Sequence, residues 1–253
     1  MTIPFKMIKK VYRPVFLFHV ILLSSANLPA RSEDLPCRLI VGYWHNWGNT
    51  PNSFLLTQIS EAYDVINIAF ATPTTPNGSI MQFVPCYDIY PDHEDFIADI
   101  DVLQGSGKKV VISIGGANDP IQLNDPADVQ NFINSMSEII NTYGFDGVDL
   151  DLEGGSLSLQ QGDNDFRNPT SPLIVNLIDA INGLYDQLPP GFILSAAPET
   201  ALMQGGYSVY TGIWGAYLPV IHGLRERLTY IHVELSAYRA DKGNMYLQLA
   251  YFL

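Results

Sequence analysis

One stretch, Asp146-Gly147-Val148-Asp149-Leu150-Asp151-Leu152-Glu153, constrains this chain more than any other. Successive side chains of a strand point to opposite faces, so Asp149, Asp151 and Glu153 share one side. Val148, Leu150 and Leu152 share the other, which asks for apolar cover. A strand with three acids on one face is costly as scaffolding alone. The acids stand about 6–7 Å apart along the strand, a spacing that opposes ionising all of them. A proton is then shared, and the carboxyl at the outer end, Glu153, can stay protonated near neutral pH, as a general acid must. The same residues also fit a buried, hydrogen-bonded acidic cluster or a calcium site. Calcium loops, however, put their oxygens on flexible turns rather than on an apolar-alternating strand. A five-position match to Asp-Gly-x-Asp-x-Asp-x-Glu arises by chance about once in 10⁴ chains of this length.

The surrounding pattern says what kind of sheet holds that strand. Short apolar runs recur at Leu39–Tyr43, Val65–Ala71, Lys109–Ile114, Gly147–Leu152, Phe192–Ala197 and Tyr230–Leu235, each about the length of a buried strand. Between them the spacing predicts helices over Phe54–Ala62, His93–Gly105, Pro126–Tyr143, Pro172–Gln187 and Tyr217–Leu228. Asp92 and Asp125 stand where N-caps belong, and Gly105 and Gly107 mark a helix end. Strand–helix alternation predicts an α/β fold with a parallel sheet and helices outside, either a barrel or a doubly wound sheet. A closed (β/α)8 barrel needs eight such units and about 250 residues, whereas about six units are legible. The tail from Gly243 to Leu253 offers one further strand at most. The chain is therefore expected to be a fragment or to have an altered end. An unclosed barrel would keep open sheet edges, fold poorly and turn over little substrate.

Composition narrows the partners. Hydrophobic residues make up 47% and charged ones 15%, enough to bury a core and too apolar for disorder. Residues 1–30 read as a secretory signal: Lys6, Lys9, Lys10 and Arg13, then an apolar run from Val15 to Leu23, then Ser24, Ser25 and Ala26. That run is about half the roughly 20 residues of a spanning helix. The mature domain would be 31–253, secreted and free of the membrane. Removing those four of the 13 basic residues leaves nine against 26 acidic ones, a charge of −17. Such a field repels nucleic acid and anionic membranes and is indifferent to a neutral polysaccharide. Cys37 and Cys86 could pair outside the cell, but their separation is no spacing signature. The five histidines lack ligand spacing, and no metal site is expected.

At Asp146–Glu153 the chain resembles the family 18 chitinases, glycoside hydrolases that fold as eight-stranded β/α barrels. Val111-Ile112-Ser113-Ile114-Gly115-Gly116 is similar to that family's third-strand Ser-x-Gly-Gly motif. Further likeness lies in Gly42-Tyr43-Trp44-His45-Asn46-Trp47 and in Asn67-Ile68-Ala69-Phe70-Ala71. Ala197-Pro198-Glu199-Thr200, Gln204-Gly205-Gly206 and Ile213-Trp214-Gly215-Ala216-Tyr217-Leu218-Pro219 look most like the bacterial branch. The resemblance implies hydrolysis of chitin or N-acetylglucosamine oligosaccharides with retention, assisted by the substrate and without a cofactor. Glu153 would protonate the leaving oxygen, Asp151 would bind the acetamido group, and Asp149 would share a proton with Asp151. Tyr43 and Ser113 would back the acids from neighbouring strands. Trp44, Trp47 and Trp214 are candidates for stacking on sugar, and Asp146 suits strand support better than sugar contact. A monomer is expected.

The likeness stops after about Val233. The family's sixth-strand Gln-x-Tyr-Asn, whose Tyr and Asn hold the acetamido group, is replaced here by Glu234, Ser236 and Ala237. Tyr238, two residues beyond that Tyr position, is a candidate for a displaced substitute, and the eighth-strand tryptophan has no counterpart. Besides a chitinase, the residues admit an endo-β-N-acetylglucosaminidase acting on N-glycans, a non-catalytic glycan-binding lectin on the same fold, and an acidic interaction protein. Lectins of this kind usually lack the terminal acid, which Glu153 supplies.

Overall fold

The computed structural model describes residues 35, 36, 38–48 and 53–233, together with the backbone of 248, 249, 251 and 252. In chain order the elements are β1 (Ile40–His45), β2 (Val65–Pro73), β3 (Met81–Gln82), α1 (His93–Gly105), β4 (Lys109–Gly115), α2 (Pro126–Tyr143) and β5 (Gly147–Asp151). They continue with α3 (Pro172–Tyr185), β6 (Ile193–Ala196), α4 (Thr200–Met203), α5 (Tyr217–Leu224), β7 (Tyr230–Ile231), β8 (Gln248–Leu249) and β9 (Tyr251–Phe252). Strands β1, β2, β4, β5, β6 and β7 run parallel in that order, at the six places where the apolar runs put them. α1 and α2 have the predicted bounds, and the Asp92 and Asp125 carboxylates accept hydrogen bonds from the first-turn N–H groups. The segment Phe54–Ala62, expected as a helix, holds only a 3-10 turn at Leu56–Gln58. Its N–H groups go elsewhere: Leu56 donates to the Tyr90 hydroxyl and Leu55 to the Gln58 side chain. β3 and α4 were not foreseen.

The parallel sheet is curled as in a β/α barrel. Strands β1 and β5 are three places apart, about 14 Å if the sheet were flat. Yet the Tyr43 hydroxyl of β1 reaches the Asp149 carboxylate of β5 at 2.6 Å. The edges also come near one another, because β8 pairs antiparallel with β1 while β9, one residue further on, pairs antiparallel with β7. Each edge strand thus carries a two-residue partner where an open edge was expected.

Alternation sorts the strand residues into two environments. Outward residues such as Ile66, Ile68, Val110, Ile112, Val148, Leu150 and Leu194 join the large core under the helices. Phe132, Met136 and Ile140 of α2 and Leu177, Ile181 and Leu184 of α3 close over them. Inward residues form layers. The lowest is apolar, made by Leu39, Val41, Val65, Val111, Ile193 and Tyr230. The next, two residues along each strand, is polar: Tyr43, Asn67, Ser113, Asp149, Ser195 and His232.

Trp44 takes the outward side. Its ring is 2% exposed, packs against Tyr90 and Phe96, and donates from Nε1 to the Phe54 carbonyl at 2.9 Å. The sequence reading made it a candidate for sugar; the structure makes it core. Replacing a fully buried tryptophan by alanine leaves a large cavity, so Trp44→Ala should lower unfolding stability by about 3–5 kcal/mol. Urea unfolding followed by circular dichroism would measure it, and a loss near zero would mean the ring is not packed there.

Candidate active site

Asp149 is the centre of the polar layer. In-register pairing sets Ser113 of β4 on one side of it and Ser195 of β6 on the other. Both serines donate to its carboxylate, Ser113 Oγ to Oδ2 at 2.8 Å and Ser195 Oγ to Oδ1 at 2.6 Å. The Tyr43 hydroxyl donates to Oδ2 at 2.6 Å, and His232 Nε2 lies 2.9 Å from Oδ1. Asp149 and His232 are both 0% exposed. Burial pushes the Asp149 carboxyl up, but the facing His232 and the donors outweigh it and hold the group below the usual carboxylate range. This surrounding favours the ionised form of Asp149. Tyr43 is correspondingly held well above a phenol's usual value, by removal from water first and then by the charges of Asp149 and Asp151. It stays a donor.

Asp151 stands one layer above Asp149 and is 3% exposed. Its carbonyl oxygen accepts from the Gly116 N–H at 2.7 Å. That contact explains the Ser113-x-Gly115-Gly116 run. Gly115 has φ 103° and Gly116 φ 80°, and a Cβ on Gly115 would run into the Asp151 carbonyl oxygen. Gly147 has a comparable reason at the other end, since a Cβ there would lie 2.6 Å from the Ile193 carbonyl oxygen. Glu153 sits just beyond the end of β5, half-buried, with its carbonyl capped by Ser156 N–H at 3.1 Å. The next N–H, of Gly154, donates to Glu199 Oε2 at 3.3 Å, which places Glu199 beside the acid.

A cleft of about 600 Å³ has Gly115 and Gly116, the pair that contacts the Asp151 backbone, in its wall, and none of Asp149, Asp151 and Glu153 lines it. Trp47, Phe70 and Phe83 supply its aromatic surface, and Asn46, Gln82, Asn118 and Asp119 its polar groups. Trp47 is 41% exposed and lies stacked on His45, ring centres 4.2 Å apart. Trp214 is exposed and lies over Gly205 on the segment after β6. Asp146 is far from all of this, at the entrance of β5. Its Oδ2 accepts from Val110 N–H and from Gln104 Nε2, both at 2.9 Å, and Oδ1 lies 3.6 Å from Lys109 Nζ. Asp146, read from the sequence as suiting strand support better than sugar contact, ties β4, β5 and α1 together at the opposite end. Tyr238 and the other residues after Val233, Cys37, and the amino-terminal segment lie outside the described residues. No cluster of three or more metal-binding side chains occurs among the described residues, and no described helix is long and apolar enough to cross a membrane.

Sequence reasoning missed Ser195 and His232. The available signal was the same for both: a polar residue at an inward position of an otherwise apolar run.

A carboxyl held low in the folded state lends stability above the unfolded value near 4, and that stability is lost as pH falls through the folded value. Urea midpoints should therefore drop between about pH 5 and pH 3, with a shallower drop in Asp149→Asn. Equal slopes would mean Asp149 is not so held.

Comparison with known proteins accords with this geometry. The family model of glycosyl hydrolases family 18 matches residues 39–216. Chitinase D of Niallia circulans is 52% identical over 196 residues, 77% of this chain and 37% of that protein. Chitinase Chi52 of Paenibacillus xylanexedens is 50% identical over 211 residues, 83% of this chain and 40% of that protein. The chain thus spans about two-fifths of the length of these curated relatives. Among solved structures, a family GH18 chitinase from Chromobacterium violaceum superposes with a TM-score of 0.70 at 39% identity, covering 83% of this chain and 54% of that one. A curled parallel sheet, a line of acids along one strand and a match over most of its length agree: the chain belongs to glycosyl hydrolase family 18.

Proposed function

We propose that this chain is the catalytic region of a secreted chitinase that hydrolyses β-1,4-linked N-acetylglucosamine polymers with retention of configuration. The observation that carries this reading is the pair Asp149 and Asp151 on the inner face of β5 with Glu153 just beyond its end, beside the glycine pair that walls an aromatic cleft. Relatives named as chitinases over most of the chain support the substrate class. The amino-terminal order of basic, apolar and small residues supports export.

The chemistry runs without an enzyme nucleophile. Glu153, at the cleft end, gives its proton to the glycosidic oxygen as that bond breaks. The substrate's own acetamido carbonyl oxygen bonds to the anomeric carbon, forming a cyclic oxazolinium ion. Asp151 accepts a hydrogen bond from the acetamido N–H, which orients the carbonyl and offsets the developing positive charge. Glu153, now a carboxylate, takes a proton from the water that opens the ring from the same side, and so regains its proton. Asp149 stays beneath as a fixed charge. Trp47 and Phe70 offer flat apolar faces to sugar rings along the cleft, a neutral-substrate surface suited to a strongly acidic protein.

Glu153→Gln should lower turnover of N-acetylglucosamine oligomers by roughly 10²–10⁴-fold while leaving their affinity within a few-fold of wild type. Product release from chito-oligosaccharides and calorimetric binding would check both halves. Binding by both proteins with hydrolysis by neither would point to a lectin. Cleavage of a high-mannose N-glycan in place of chitin would move the substrate to the glycoprotein core.

A further inference from the structure

His232 is a buried titratable group that the proposed chemistry does not use. It follows β7 directly, and its backbone N–H continues the sheet by donating to the Ala196 carbonyl at 2.9 Å. Its ring is fully enclosed, tilted against Tyr230 at 5.7 Å and Tyr43 at 5.9 Å between ring centres. Nε2 meets Asp149 Oδ1 at 2.9 Å.

Two buried groups in contact can hold a proton in two ways with no net charge: imidazolium with carboxylate, or imidazole with carboxylic acid. The other partners of Asp149 decide between them. Tyr43, Ser113 and Ser195 all donate to the carboxylate, and three donors stabilise its ionised form over the acid. The titratable groups facing His232 among the described residues are Asp149 on β5, Tyr43 on β1 and Tyr230 on β7, with Asp151 one layer above. Both phenols are pushed up by burial, which keeps them neutral near physiological pH. The charge in contact with the imidazole is therefore that of Asp149.

We propose that His232 is a positioning residue for the hydrolysis, carrying a proton that cancels the Asp149 charge beneath Asp151 and Glu153 and fixing the carboxylate in one orientation. The proposal rests on the functional reading above. Without the cation, an uncompensated Asp149 would raise the proton affinity of Asp151 about 6–7 Å above it, and then of Glu153. Both limbs of a bell-shaped pH–rate profile would move to higher pH.

The test is the pH dependence of oligosaccharide hydrolysis by the full chain and by His232→Gln, together with ring-nitrogen NMR shifts of His232 in the unmodified chain. Glutamine can donate one hydrogen bond to Asp149 but cannot carry charge. The expected result is an alkaline shift of the bell of about one pH unit, with kcat lowered more than KM is changed. The ring nitrogens should report an imidazolium from pH 5 to 8. An unshifted bell in an active His232→Gln protein overturns the proposal. So does a neutral imidazole across that range, which decides the matter even where the variant does not fold. Absence of turnover by the unmodified chain would count against the functional reading instead, while the ring-nitrogen shifts still answer for the ion pair.

Discussion

The inside of this sheet is organised by one buried anion. Removing a carboxylate from water costs several kcal/mol unless neighbours replace the lost solvation. Asp149 has four such neighbours, each from a different strand or its immediate continuation: Tyr43, Ser113, Ser195 and His232. Meeting that demand fixes the register of β4, β5 and β6 across the layer, because each donor must arrive at one height. It also fixes the curl, because the Tyr43 hydroxyl reaches Asp149 only if β1 bends toward β5. Breaking one partner of such a cluster leaves a charge with too few donors, a far larger loss than one exposed ion pair.

Above the anion, polarity is graded along β5. Val148 and Leu150 are clamped under the helices while Asp149, Asp151 and Glu153 climb from full burial to the half-open end. The glycine pair beside Asp151 lets β4 approach its backbone, so the acid is carried by two strands rather than one. A general acid must be placed to within a fraction of an ångström of the oxygen it protonates. A strand end held by neighbouring backbone is a better mount for it than a free loop.

Much of this was legible in the sequence. Six buried strands and the bounds of α1 and α2 follow from local signals, alternation and capping carboxylates, which act over a few residues. The line of acids was visible for the same reason. Trp44 shows where a local rule was available and not applied: neighbours in a strand face opposite ways, so with Tyr43 turned inward Trp44 had to turn out. Phe54–Ala62 has a helical composition, but its Leu56 N–H is taken by the Tyr90 hydroxyl, a tertiary preference that no window of nine residues records. His232 lies 83 residues from Asp149 in sequence. Only the folded sheet makes them neighbours, and a lone histidine in an apolar run otherwise reads as core.

Asp146 gives the acidic stretch a second meaning. Its carboxylate is a clasp at the foot of the strand, gathering the N–H of Val110, the Gln104 amide and the Lys109 ammonium, whereas Glu153 stands half-buried just past the head. Eight consecutive residues thus answer to two unrelated demands, assembly at one end and reactivity at the other. A pattern search keyed to them detects a barrel that has come together as readily as one that works. The two are told apart by how a damaged copy fails: loss at the foot diminishes how much folded protein exists, and loss at the head leaves a well-formed molecule that is idle.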